Sequence, residues 1–556
     1  MLDRFFGGKI LEIKKGALVL YKKIFLMLTA LIFCAMSTTS EGAVRTKILF
    51  IPHDDRPVSC QQTAEIARAI GIEIIMPPVE LLGLNGADEH PDQLWQWFKE
   101  NAKSARAAVV ASDSLLYGGL IPSRKHEFSQ EKLSAFVENF KTIREENPEM
   151  KLYVFASLMR TPMQGTKGDI EEPDYYAEYG ANIFNYTALT DKSETSKLTT
   201  DEKNYLQYLK DNIPAEILND WMSRRTKNFS ATKKLIDFTN TGTIDYLIIG
   251  RDDNAPLSQT HKENRELLSY ANKKNLSKEK FQSLAGIDEF NLLLLTRAIN
   301  EMRGKVPKVN VQFNKGTGGK TVPAFSDEPI KDSIEDEIII AGGKSVKNPN
   351  DADFILLVNT DINGETLWAH NQPPSDKPFV PNLIPSESTS FFANLAEIYI
   401  LKGYKVGIAD VNYCNGSDNA LMKILHDKNL LFKIQSYAGW NTATNSTGFA
   451  LSTGILSKYM MKDAKNKLLV RRYLDDWAFQ ANIRSIVGNE LFYMPRGVIA
   501  YFQFDGEREY VEKRETELLQ RFADEILPPY RYLRGLKVSN TWNRMFEVQI
   551  EFGADE

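Results

Sequence analysis

The sequence predicts an α/β fold: a predominantly parallel sheet of repeated strand–helix units, barrel-like or doubly wound, with a mostly helical C-terminal region closed by a strand. Two observations carry this. Short runs rich in Ile, Val and Tyr recur along the chain, and they are continuously apolar rather than alternating, as strands buried on both faces are. Between them lie stretches of helical period, and repeated strand–helix units in one sheet imply right-handed crossovers.

Taken in order, the predicted strands are KILFI (47–51), IEIIM (72–76), AAVVA (107–111), KLYVFA (151–156), DYLIIG (245–250), VNVQF (309–313), DFILLV (353–358), KVGIA (405–409) and LFKIQ (431–435). Helices are expected over 61–70, 130–145 and 288–302, the last with Asp288 and Glu289 in its first turn, where the helix dipole favours acids. Residues 165–240, rich in Tyr and acids, read as an insertion placed like a lid or substrate wall. Beyond Gly448 the pattern turns helical, with RRYLDDWAFQANIR as its clearest amphipathic piece, and TWNRMFEVQIEF closes the chain as a strand. The expected regions are 43–305, 306–456 and 457–556, preceded by a signal peptide over 1–42.

That leader rests on Lys14, Lys15, Lys22 and Lys23 ahead of the apolar run Ile24 to Met36, followed by small and polar residues. Export, to the periplasm, cell surface or medium, is therefore expected, with membrane contact only if the segment stays uncleaved. Once it is removed only Cys60 and Cys414 remain, too few to establish a disulfide framework.

The 556 residues carry 68 Lys+Arg against 73 Asp+Glu, a formal net charge of -5, which argues against a nucleic-acid partner. Six His and three Cys without CxxC, HExxH or HxH spacing predict no zinc site. Neither a phosphate loop, a GxSxG elbow nor a dinucleotide fingerprint occurs, so no cofactor is expected.

The chemistry sits after the strands. Candidate catalytic carboxylates are Asp54 and Asp55, Asp113, and Asp252 and Asp253, the last pair foremost. Two adjacent Asp pairs at strand ends are costly unless Arg, a metal or a ligand answers them. Arg56, Arg160 and Arg251 would tune these acids or grip an anionic substituent. Tyr117, Asn254, Asp410, Asn412, Asn415, Asp418, Trp440 and Asn441 would bind substrate. Because carboxyl ends of parallel strands share one edge, these clusters should converge in one cleft. Each also has a bland reading: capped turns for the Asp pairs and NGSD, ordinary core for Trp440. Carboxylates, amides and aromatics together suit a carbohydrate or cell-wall-derived ligand and hydrolysis by paired carboxyls. A non-catalytic sugar-binding protein and a Mg²⁺- or Ca²⁺-dependent hydrolase are the rivals.

The phrases PHDDRPVS, SDSLLYGGLIPSR, GRDDNAP, ADVNYCNGSD and SYAGWNTATNSTG, in this order, resemble a bacterial family catalogued as domain of unknown function 4127. The similarity extends through GIDEFNLLLLTRA, RRYLDDWAFQ and WNRMFE. His53 departs from the aliphatic residue expected before the Asp pair and is read as peripheral. The resemblance implies one site at these strand ends and no catalytic role.

Overall fold

The computed structural model describes residues 46–82, 90–372 and 384–553; the leader lies outside them. The apolar runs become strands of two open parallel sheets. The first comprises β1 (Lys47–Ile51), β2 (Glu73–Ile75), β3 (Ala107–Ala111), β4 (Lys151–Leu158), β5 (Tyr246–Arg251) and β6 (Phe281–Ala285) in the order β2-β1-β3-β4-β5-β6. The second holds β7 (Lys308–Phe313), β8 (Lys344–Ser345) and β9 (Phe354–Asn359). Two short strands, β10 (Leu367–Trp368) and β12 (Tyr413–Cys414), pair beside it, while β11 (Val406–Asp410) and β13 (Ser436–Ala438) complete it in the order β13-β11-β9-β7-β8. Both sheets are doubly wound, and the chain reverses its direction of winding beside the first strand of each. Ile48, Val109, Val154, Ile248, Leu357 and Ile408 are essentially inaccessible, which is why these strands read as unbroken apolar runs.

The helix Phe290–Met302 joins the halves. It packs on β3 and β4 and against the helix Ala443–Leu456, which covers β9, β11 and β13. Residues Phe290 through Asn300 are all buried, so one apolar core runs from Ile48 and Phe290 to Leu356 and Phe449.

Four sequence expectations change. LFKIQ (431–435) is not a strand: Leu431 and Ile434 fill the second core, and the strand that pairs with β11 starts at Ser436. Asp288 and Glu289 precede the helix, which begins at Phe290, so they are free to serve the site. Tyr473–Ile483 is a π-helix buried on every side rather than amphipathic. It is continuous with Lys462–Arg472, whose Arg471 and Arg472 reach Glu65 and Gln62 of the first half. The single rim becomes two, one per sheet. Between β4 and β5, the insertion carries the helices Tyr176–Thr195 and Thr200–Asn212, followed by the crossover helix Ala215–Thr241. The chain closes with an antiparallel pair, β14 (Lys537–Ser539) and β15 (Gln549–Glu551). Cys60 and Cys414 are buried and free. No helix among the described residues is long and apolar enough to cross a membrane.

Candidate active site

The two carboxyl edges meet beneath the C-terminal region. After β1 the chain turns through His53–Arg56, held by the Ser114 hydroxyl, which donates to the Pro52 carbonyl at 2.6 Å. Arg56 donates to Asp54 at 2.8 Å and to Asp288, just after β6, at 2.6 Å. Asp288 also accepts from Asn441 at 3.1 Å and Asn445 at 3.2 Å, both after β13, so one carboxylate ties the edges together. Burial raises its pKa, but Arg56 and His53 overcome that and hold it at about 2. His53 is not peripheral. It is fully buried between Asp288 (3.1 Å) and the Asn291 amide (3.1 Å), a polar centre where an aliphatic side chain was expected.

Glu289 follows with the opposite environment. It is inaccessible, and burial and the charges of Asp288 and Asp252 push its pKa far up against hydrogen bonding from the backbone and Thr444. Gly286, at φ +98°, leaves room for it: a Cβ there would fall 2.4 Å from Glu289 Oε1.

A cavity of about 200 Å³ opens over this network. Its acidic wall is Asp253 from β5 and Asp169 and Glu171 from the insertion; its basic wall is Arg160, Arg484 and Arg544. Arg160 Nη1 lies 2.7 Å from Asp253 and 3.2 Å from Glu171, so the two acids are separated by no more than those distances combined. Burial, reinforced by Asp252, raises Asp253 to about 7 despite Arg160. Burial also acts to raise Glu171, but Arg160, Arg544 and Arg124 hold it well below the usual carboxylate range. The environments of two acids on one cavity thus push their pKa values in opposite directions, Asp253 up and Glu171 down.

The C-terminal segment covers the site with alternating residues. Trp542 lies under Arg56 (5.1 Å) and Arg544 (4.6 Å), and Phe546 under Arg544 (5.2 Å) and Arg484 (4.3 Å). Such cation–π stacks orient the guanidinium groups. Asp55 accepts from the Trp542 indole at 2.7 Å, and burial raises its pKa to about 7.

The remaining predicted residues divide. Asp252 is locked to Arg124 at 2.5 Å beside the cavity. Asn415 and Asn441 line the cavity, both with positive φ (57° and 61°). Asp113 is buried on the Ser157 hydroxyl, and burial raises it to about 6. Arg251 turns away: it donates to Asp327 at 3.0 Å and Glu328 at 2.9 Å, in a separate cavity, because these acids offer it a closer partner than the Asp pair. Asn254 accepts from Ser258 at 3.1 Å, a turn role. Tyr117 stacks on His126 at 4.8 Å and packs in a separate core with Leu49, Val110 and Val154, and Trp440 is 4 % exposed against Phe546, so neither offers a face to a ligand. Asp418 caps the helix Asn419–Asp427 and accepts from Asn412 at 2.9 Å. Asp410 is sealed among Asn359, Tyr437 and the Asp418 amide. Among the described residues no group of three or more His, Cys, Asp or Glu is placed to hold a metal ion.

Sequence reading missed Asp288, Glu171, Arg484 and Arg544. Asp288 was assigned to a helix turn, whereas Glu171 in GDIEEP and Arg544 in TWNRMF stood in segments read only for their shape.

The fold and site define a two-sheet, doubly wound α/β protein with an arginine–carboxylate cavity where the strand ends meet. The chain belongs to the family described as protein of unknown function (DUF4127), whose model matches residues 48–551. Comparison with curated proteins yields no match.

Proposed function

We propose that this protein is an exported carbohydrate-active hydrolase of glycosidase type. The observation that carries the reading is Asp253 and Glu171 on one cavity, sharing Arg160, with pKa values driven apart. Glycoside hydrolysis needs that pair: a protonated acid for the leaving oxygen and an ionised carboxylate as nucleophile or base. Asp253 takes the first role and Glu171 the second. Arg160 keeps Glu171 ionised, and desolvation together with the neighbouring Asp252 charge favours the proton on Asp253. A cavity of about 200 Å³ is below the ~300–1,000 Å³ of drug-sized sites and suits a single sugar ring. Both carboxylates are engaged by arginines rather than gathered for a cation, which favours metal-free hydrolysis over the Mg²⁺ or Ca²⁺ reading.

Wild-type protein assayed on a panel of chromogenic glycosides of both anomeric configurations should release the aglycone, and D253N and E171Q should not. A wild type that binds glycosides yet turns over none of them would identify a sugar-binding protein instead. Export is tested by sequencing the N-terminus of protein recovered from the cell envelope: a start near Ala43 supports it, and an intact leader on cytoplasmic protein refutes it.

A further inference from the structure

Arg484 differs from the other two arginines of the cavity. Arg160 contacts Asp169, Glu171, Glu172 and Asp253, and Arg544 contacts Glu171 and Glu547. Arg484 has no ion pair among the described residues. Its Nε donates to the Tyr501 hydroxyl at 2.8 Å and the Met545 carbonyl at 3.1 Å, and its Nη1 donates to Gln480 Oε1 at 3.1 Å, all neutral acceptors. The guanidinium plane is further set by Phe546, 4.3 Å below it. It is thus a half-buried cation, fixed in direction and lining the cavity, whose charge no carboxylate answers. Arg in that situation presents its remaining N–H groups as a preformed fork for an oxyanion.

The geometry points to an anionic ligand whose charged oxygens are received by Arg484. The inference rests on the glycosidase reading and names its substrate class: a sugar bearing a carboxylate or a sulfate. The acids of the cavity are matched in number by its arginines: Asp169, Glu171 and Asp253 stand against Arg160, Arg484 and Arg544, with Arg160 pairing all three acids and Arg544 pairing Glu171. Asn415 and Asn441 line the same cavity, and their amide side chains are suited to ring hydroxyls. One ring therefore meets an oxyanion fork, two amide side chains and the Asp253/Glu171 pair in a space fit for one ring.

The test pairs kinetics with binding, using wild type, R484Q and R484K. The substrates are p-nitrophenyl glucuronides and galacturonides, the matching glucosides and galactosides, and 6-sulfated forms of these neutral glycosides, all in both anomers. Wild type should prefer an acidic over the matching neutral glycoside, and R484Q should reduce that ratio of kcat/KM by roughly 30–100-fold, chiefly through KM. R484K, which keeps the charge but loses the fork, should recover part of the ratio, and it carries the test if R484Q fails to fold. Uronides favoured over sulfated sugars identify a carboxylate as the natural anion; the reverse order identifies a sulfate. Neutral glycosides turned over as well as acidic ones, or a ratio unchanged in both variants, overturns the anion site while leaving the glycosidase reading intact. Calorimetry with free glucuronate, galacturonate, glucose 6-sulfate and glucose separates the other case. Arg484-dependent binding of the acidic sugars without turnover of any glycoside sustains the anion site and removes the enzyme, whereas wild type binding none of the acidic sugars overturns the site.

Discussion

The two sheets share a winding order but use their carboxyl edges differently. On the first edge Asp54 pairs with Arg56 of its own turn, Asp252 and Asp253 face Arg124 and Arg160 from other elements, and part of this charge opens onto the cavity. On the second edge the acids turn inward. Asp410 and Asp418 are answered by Asn359, Asn412, Tyr437 and backbone N–H groups, and burial raises the pKa of both. The same topology therefore supports one rim whose charge opens onto a cavity and one whose charge is sealed. What separates them is the partner: arginines answer the acids of the first edge and, where three converge on the neighbouring Glu171, hold it ionised, whereas Asp410 and Asp418 have only amides, a hydroxyl and backbone N–H groups.

The strongest test of this contrast lies on the first edge. D253N and E171Q should each lose about 10²–10⁴-fold in turnover on the eventual substrate; D253N should melt near the wild-type temperature, whereas E171Q should melt lower, because it leaves Arg124, Arg160 and Arg544 without their shared carboxylate. Equal activity in both variants would leave the first edge as structural as the second. Next comes Trp440, which belongs to the core joining the halves: Trp440→Ala should cost about 3–5 kcal/mol in denaturant unfolding, with the KM of the folded fraction unmoved. A raised KM at unchanged stability would return this residue to the ligand.

On the second edge, D410N places an N–H against donors and should cost about 1–3 kcal/mol, because both oxygens of Asp410 now accept. Its kcat/KM should stay within about twofold. A large kinetic loss there would mean that the second rim reacts. A comparable effect is confined to acid. Asp288 has a folded pKa of about 2 against an ordinary 3.8, so its stabilisation is complete above the ordinary value and is lost as pH falls through about 2. Stability measured across that window should fall by about 2 kcal/mol more in wild type than in D288N, following ~1.36 kcal/mol per pKa unit.

Much of the fold was legible because buried parallel strands leave an unmistakable trace: eight of the nine apolar runs named in the sequence are strands of the two sheets. LFKIQ failed since apolar residues that fill a core beside a turn carry the same signature as a short strand. β6 escaped because Phe281–Ala285 mixes Gln and Ser into an edge strand, so it never forms an apolar run. Of the site, Asp253, Arg160, Asn415 and Asn441 were found from strand ends, whereas Trp440 and Tyr117 were placed on the ligand although they pack in cores.

By itself the sequence determined the α/β class, the sites where charge would gather after the strands, and the family, since periodicity and motifs are local properties of the chain. Only the tertiary structure decided that two sheets face each other, that Asp288 ties their edges, that Arg251 turns away, and that Arg484 stands in the cavity without a carboxylate. Each of these depends on which distant side chain arrives opposite, such as Asp327 for Arg251 or Asn441 for Asp288. A buried charge takes its role from the group that answers it, and no sequence spacing records that group.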